Sequence, residues 1–294
     1  MAEREQMIEI AQKFNLFSNV FMKVVFRDKL ACQHVLRIFA GDPELEVAWV
    51  KTEYEIAKVI SHDSRLDVLA EAVGGRMYNL ELQRDGCLDH ARRVRFYNAM
   101  VDSEVLEKGK IYDEMPELTT YYISETDLWK ENQTSYRVEK RLVRTDCSYK
   151  EKHSKDGLYS GTGYQDGMYN DSAYEDGVCI VYVNAEVDDR SEMAKLMQYF
   201  RTADPYDDSQ GELSKRVHFL KCEKEGLKIM CKVTEELVEY GKEIGKEIGK
   251  EIGIKGIVLR MAGRGKKLGE ILEDTGVSLE RAETWLREAE NSYV

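Results

Sequence analysis

Proline is scarce, at 3 residues in 294. No proline-rich linker therefore divides the chain. The six cysteines, Cys32, Cys87, Cys147, Cys179, Cys222 and Cys231, form no CxxC pair. None has a nearby histidine at zinc spacing, which argues against a zinc-binding module or a CxxC redox centre. No run of about 18 apolar residues is present, so no membrane span is expected. The opening MAEREQMIEI is charged and does not read as a secretory signal. Positive charge is also in the minority, with Lys plus Arg at 43 against Asp plus Glu at 55, a net −12. That balance excludes a uniformly basic nucleic-acid coat and leaves room only for a local basic groove. The expectation is a soluble, reduced, cytoplasmic protein without membrane association.

Hydrophobic residues make up 43% of the chain, enough for a real core, and the length suggests about two units. Residues 5–40 read as helices. Phe14, Phe17, Phe21, Val24 and Val25 recur at spacings of three and four, and Val35, Leu36 and Phe39 continue the stripe up to Gly41-Asp42-Pro43. Residues 45–84 look like strands, with RLDVLA (65–70) and RMYNLELQ (76–83) forming a hairpin about Gly74-Gly75. Helical periodicity returns over 88–107. A strand is expected over 119–128, and a buried one over 178–185. The Gly-, Tyr-, Asp- and Ser-rich stretch 148–177 reads as polar turns joining short strands. Helices dominate from Ser191.

The hairpin carries the most informative residues. Glu81 and Gln83 share one face of the second strand. A turn centred on Gly74 places Asp67 directly opposite Glu81, whereas a turn centred between Gly74 and Gly75 puts them on opposite faces. Side-by-side carboxylates repel unless something neutralises them. A hard divalent cation does so, and Mg²⁺ needs only one or two carboxylates beside water and phosphate. Gln83 can orient a water but carries no positive charge. After this pair come Arg84, Arg92, Arg93 and Arg95, suited to backbone phosphates, or alternatively a charged helix face paired with Asp85 and Asp89.

In order along the chain stand NVFMKVVF (19–26), RLDV (65–68), NLELQ (79–83), RVRFY (93–97) and KGKIY (108–112). This series resembles the Rpn family of recombination-promoting nucleases, also described as transposases, within the PD-(D/E)XK superfamily. The resemblance implies an α/β fold, a restriction-endonuclease-like mixed sheet flanked by helices, with a helical C-terminal extension. It implies a metal-dependent DNA endonuclease that hydrolyses phosphodiester bonds in recombination or mobile elements. Asp67 and Glu81 would hold Mg²⁺ (Mn²⁺ or Ca²⁺ as alternatives), Gln83 would occupy the usual lysine position, and Arg93 and Arg95 would contact DNA. Asn19 departs from the family pattern, standing where many relatives carry an acidic residue. The competing reading is a non-catalytic DNA-binding or assembly protein on the same fold.

The expected division is a nuclease-like domain over 1–206, a helical region over 207–262 and a two-helix tail over 263–294. The helical region holds the repeat Gly241-Lys-Glu-Ile-Gly245-Lys-Glu-Ile-Gly249-Lys-Glu-Ile-Gly253. Gly and Ile fall about 60° apart on a helix and make one seam, with Lys on one flank and Glu on the other. Within one helix the like charges recur at i,i+4, and each Gly costs about 1 kcal/mol against Ala. The 241–253 helix is therefore expected to pair with a second copy in parallel, giving a homodimer. The tail resembles a helix-turn-helix, but LERAETWLREAE (279–290) is too acidic for a recognition helix.

Overall fold

The computed structural model describes residues 2–55, 65–83, 90–106, 111–142 and 173–291. Residues 12–227 form one compact unit; residues 1–11 with 228–294 form another. Arg84, most of the Tyr/Gly-rich stretch, His62, His153 and the Lys108-Gly109-Lys110 segment lie outside the described residues.

The larger unit is built on one mixed sheet. Its strands are β1 (Val47–Glu55), β2 (Arg65–Ala72), β3 (Met77–Gln83), β4 (Leu118–Ser124), β5 (Ser135–Val138) and β6 (Val178–Asn184), in spatial order β1-β2-β3-β4-β6-β5. The first three are antiparallel neighbours. β3, β4 and β6 run parallel, and β5 closes the far edge antiparallel to β6. Central β3 is buried over its first five residues. Such a strand normally reads as continuous hydrophobics, so its buried Asn79 and Glu81 are the exceptions to explain.

Helices cover both faces. Helix α2 (Asn19–Phe26) buries Phe21, Met22, Val24, Val25 and Phe26, leaving Lys23 as its single charged side chain. Each fully buried Phe contributes about 1.5–3 kcal/mol. Helix α3 (Lys29–Ala40) starts on Asp28, whose carboxylate accepts from the Leu30 and Ala31 N–H groups. It ends on Gly41 at φ +63°, a left-handed cap that suits glycine. Phe39 of α3 packs on Tyr121, with ring centroids 4.9 Å apart. On the opposite face lies α4 (His90–Val105), the crossover between parallel β3 and β4. Its Met100 and Val101 pack with Leu69, Met77 and Leu118, and its Val94 packs with Tyr122 and Tyr182. Helices α5 (Glu192–Thr202) and α6 (Gly211–Cys222) complete this unit, with Phe200 of α5 against Phe17 and Phe26.

Two expectations are corrected. The apolar stripe from Phe14 to Val25 is not one helical surface. Helix α1 (Ala2–Lys13) stops before it, and Phe14 and Phe17 sit in a turn where the Asn15 side chain accepts from the Phe17 N–H. The strand expected over 119–128 ends at Ser124, because Asp127 gathers the following loop. Strand β5 was not anticipated.

In the other unit, α7 (Lys224–Gly263) carries the Gly-Lys-Glu-Ile repeat as continuous helix. Helices α8 (Leu268–Thr275) and α9 (Leu279–Asn291) are joined through Gly276 at φ +66°. They pack through Val258, Ile271, Ala282 and Trp285, with Lys255–Glu288 and Arg281–Glu251 ion pairs outside. Among the described residues no helix is long and apolar enough to cross a membrane.

Candidate active site

The hairpin settles the register. Val68 lies opposite Leu80, Leu69 opposite Asn79, Ala70 opposite Tyr78 and Glu71 opposite Met77. The Ala72 N–H donates to the Arg76 carbonyl at 2.9 Å, closing a loop of residues 73–75 with Gly75 at φ +82°. An odd loop length centres the turn on Gly74, and the same register carried outward sets Asp67 opposite Glu81. The Leu82 N–H donates to Asp67 Oδ2 at 3.0 Å, fixing one side of that carboxylate across the strands.

Both carboxylates are withdrawn from water, with Asp67 7% and Glu81 6% exposed. Directly opposed side chains sit roughly 5 Å apart, where two negative charges repel by about 3 kcal/mol at an effective dielectric near 20. Lys23 offsets part of this. Its Nζ lies 3.2 Å from Asp67 Oδ1, and both side chains are nearly buried. Glu81 remains exceptional. Its Oε1 is buried without a hydrogen bond, and two residues upstream on the same face both polar atoms of the Asn79 amide are in the same condition. Burial first, and the Asp67 charge second, push the Glu81 carboxyl well above the ordinary range, with Lys23 among the groups opposing them.

Gln83 sits at the end of this face, partly exposed, and Arg93 Nη1 donates to its Oε1 at 3.0 Å. Arg93 is thereby brought to the site. Arg95 is exposed on α4, about 200° around the helix from Arg93, and is not brought to it. Asn19 is exposed one helical turn before Lys23. Lys23 lies in the NVFMKVVF segment, for which the sequence alone indicated no ligand or catalytic role. A lone charge in an otherwise apolar helix reads equally as a solvated position.

Beyond Glu81 the sheet continues as an aromatic row. Glu81 aligns with Tyr122 of β4, Tyr122 with Tyr182 of β6, and Tyr182 with Tyr136 of β5. His90, the first residue of α4, places Nδ1 3.2 Å from the Tyr182 hydroxyl. His90 therefore joins the row, whereas His34 and His218 contact Gln210 and the Pro205 carbonyl elsewhere. Cys32 is fully buried, and burial, with Asp28 adding to it, pushes its thiol up to about 12. It is an inert apolar side chain in this setting.

Among the described residues no three His, Cys, Asp or Glu side chains converge. The donor set is two carboxylates, which fits Mg²⁺, since that ion is commonly held by one or two carboxylates with waters and phosphate oxygens filling the rest. The unpartnered Glu81 oxygen and the net charge of Asp67, Glu81 and Lys23 together are what a divalent cation would satisfy.

Residues 38–159 match a family model described as PD-(D/E)XK nuclease family transposase. The matched span contains Asp67, Glu81, Gln83, Arg93 and strands β1 to β5, and excludes α2 with Asn19 and Lys23. The six-stranded mixed sheet with flanking helices is consistent with that family, whose nucleases generally use divalent metal ions. No curated protein and no solved structure matches the chain.

Proposed function

We propose that this chain is a metal-dependent DNA endonuclease that hydrolyses phosphodiester bonds, acting in recombination or the movement of mobile elements. The observation that carries the reading is the buried, cross-strand Asp67–Glu81 pair with Lys23 held against Asp67. Asp67 and Glu81 would hold Mg²⁺, with Mn²⁺ or Ca²⁺ as alternatives. When bound, such an ion lowers the pKa of a water and stabilises charge on a phosphoryl group. The Leu82 N–H and Lys23 hold Asp67 in one orientation, so the ligand geometry is set before substrate arrives. Lys23 supplies the fixed positive charge that Gln83 lacks, beside the place where negative charge develops on the phosphate. Gln83, oriented by Arg93, acts as a neutral hydrogen-bonding group toward water or a phosphate oxygen. Arg93 and Arg95 contribute phosphate contacts from opposite sides of α4.

One observation favours the non-catalytic alternative: Asn19, one helical turn before Lys23, stands where the resemblance expects an acidic residue. Plasmid cleavage with Mg²⁺, Mn²⁺ or Ca²⁺, compared with Asp67→Ala protein, separates the two.

The Gly-Lys-Glu-Ile repeat is proposed to join two chains in parallel. An added Cβ at Gly241, Gly245, Gly249 or Gly253 would meet nothing within 4 Å, and Ile252 is 65% exposed. The glycine side of this helix thus has room for a second backbone, and the four-residue period of the repeat favours a right-handed crossing.

A further inference from the structure

We propose that Trp129, seated on Tyr136, Tyr182 and His90, forms a stacking subsite for an unpaired nucleobase of the DNA substrate. It would lie a few nucleotides from the phosphate held at Asp67 and Glu81. This rests on the nuclease reading and deepens it, because it names single-stranded or locally opened DNA as the preferred substrate class.

The first argument is register. The row Glu81, Tyr122, Tyr182, Tyr136 runs straight across four neighbouring strands on one sheet face. Three strand spacings of about 4.8 Å put Tyr136 roughly 14 Å from Glu81. That is the rise of about four stacked nucleotides at 3.4 Å each, and fewer for a stretched strand.

The second is the shape of the cluster. Trp129 meets Tyr182 at 4.7 Å, Tyr136 at 4.9 Å and His90 at 5.3 Å between ring centroids. Tyr182 and Tyr122 below it are core, at 4% and 1% exposed. Trp129 remains 41% exposed, its ring steeply inclined to those of Tyr182 at 78°, His90 at 79° and Tyr136 at 50°.

The third is the loop that presents it. Asp127 accepts from the Trp129 N–H at 3.2 Å, the Asn132 N–H at 2.8 Å and the Tyr136 hydroxyl at 2.8 Å, while its own N–H donates to Glu186 at 2.7 Å. Lys130 and Asn132 take φ of +58° and +59°, a conformation uncommon for residues with a β-carbon, although Asn adopts it more readily. The Asp127 hydrogen bonds tie the loop together beneath Trp129.

Stacking has to supply the affinity. At −12 the chain opposes phosphate backbones at long range, single-stranded and duplex alike. Base–aromatic stacking needs no net charge, every base has a π-face, and Arg93 on the first turn of α4 can hold the adjoining backbone.

The test measures binding of the full chain, with metal chelated, to a labelled oligothymidine and to a blunt duplex of equal length. Trp129→Ala should weaken the single strand on the order of tenfold or more and leave the duplex nearly unchanged. Trp129→Phe, which keeps a ring face and its neighbours, should retain most of the affinity. Tryptophan quenching by oligothymidine should occur in the wild type and be lost in Trp129→Phe. Wild-type single-strand affinity in Trp129→Ala overturns the subsite, as do equal losses on strand and duplex, or an equal loss in both variants. If Asp67→Ala abolishes cleavage while Trp129→Ala binds normally, the subsite alone fails. If the wild type neither binds nor cuts DNA, both readings fail.

Discussion

Lys23 and Asp67, 44 positions apart in the chain, meet at 3.2 Å between Nζ and Oδ1, with both side chains nearly buried. A buried ion pair formed beside a second, unpaired carboxylate is expensive to leave half made. Lys23→Ala should therefore lower metal-dependent cleavage by about 10²–10³, in line with losing one fixed charge donor. It should also destabilise the metal-free protein by about 3–5 kcal/mol. Added Mg²⁺ should then raise the melting temperature more in Lys23→Ala than in the wild type, since the ion replaces the missing charge. Equal metal-induced shifts in the two proteins would place Lys23 outside the site.

Arg93 and Arg95 should behave differently, although both are expected from the sequence to contact DNA. Arg93→Ala releases Gln83 and should reduce cleavage at saturating DNA as well as affinity. Arg95→Ala should weaken binding without changing the saturated rate, and reduce the slope of log affinity against log salt by about 1. Salt titrations of the two single variants, with rates at saturating DNA, distinguish them.

Asp127 ties the loop under Trp129 to acid sensitivity. Burial alone would raise its carboxyl, but the Tyr136 hydroxyl and the N–H groups of Asn132, Trp129 and Lys130 outweigh it and hold the group below the usual carboxylate range. A depressed folded-state pKa means that Asp127 stabilises the fold above its unfolded value of about 3.9. That contribution disappears as pH falls through the folded value. Asp127→Asn should thus be less stable than the wild type at pH 7, with a smaller gap at an acid pH below the usual carboxylate range. Thermal melts of both proteins at the two pH values read it directly, and a gap independent of pH would exclude the charge as its source.

The repeat helix gives a further measurement. In otherwise cysteine-free protein, Ile252→Cys should form a self-disulfide readily, because a parallel pair sets the same residue opposite itself. A strictly monomeric protein by light scattering would end that idea.

What the sequence made legible was local. The hairpin was readable because β2 and β3 flank a Gly-Gly turn, and the helix breaks at Gly41 and Gly276 followed from glycine's access to positive φ. The Asp67–Glu81 pairing depended on whether the loop held an odd or even number of residues, which the 73–75 loop decides. Lys23 was not legible as a site residue. Helical periodicity marks a lone Lys as solvated, and only the docking of α2 near β2 turns it toward Asp67. The aromatic row was hidden for a related reason. Its members come from β4, β5, β6, a loop and the start of α4, and parallel strand register cannot be read from side-chain pattern.

The most direct measurement is cleavage of supercoiled plasmid by purified wild-type, Asp67→Ala and Glu81→Ala proteins, with and without Mg²⁺. The expected result is nicking or linearisation by the wild type only when metal is present, and loss of it in both variants while their melting curves still show a cooperative fold. Wild-type cleavage rates in Asp67→Ala and Glu81→Ala, or no cleavage by the wild type with Mg²⁺, Mn²⁺ or Ca²⁺, would contradict the assignment of this carboxylate pair as a nuclease centre.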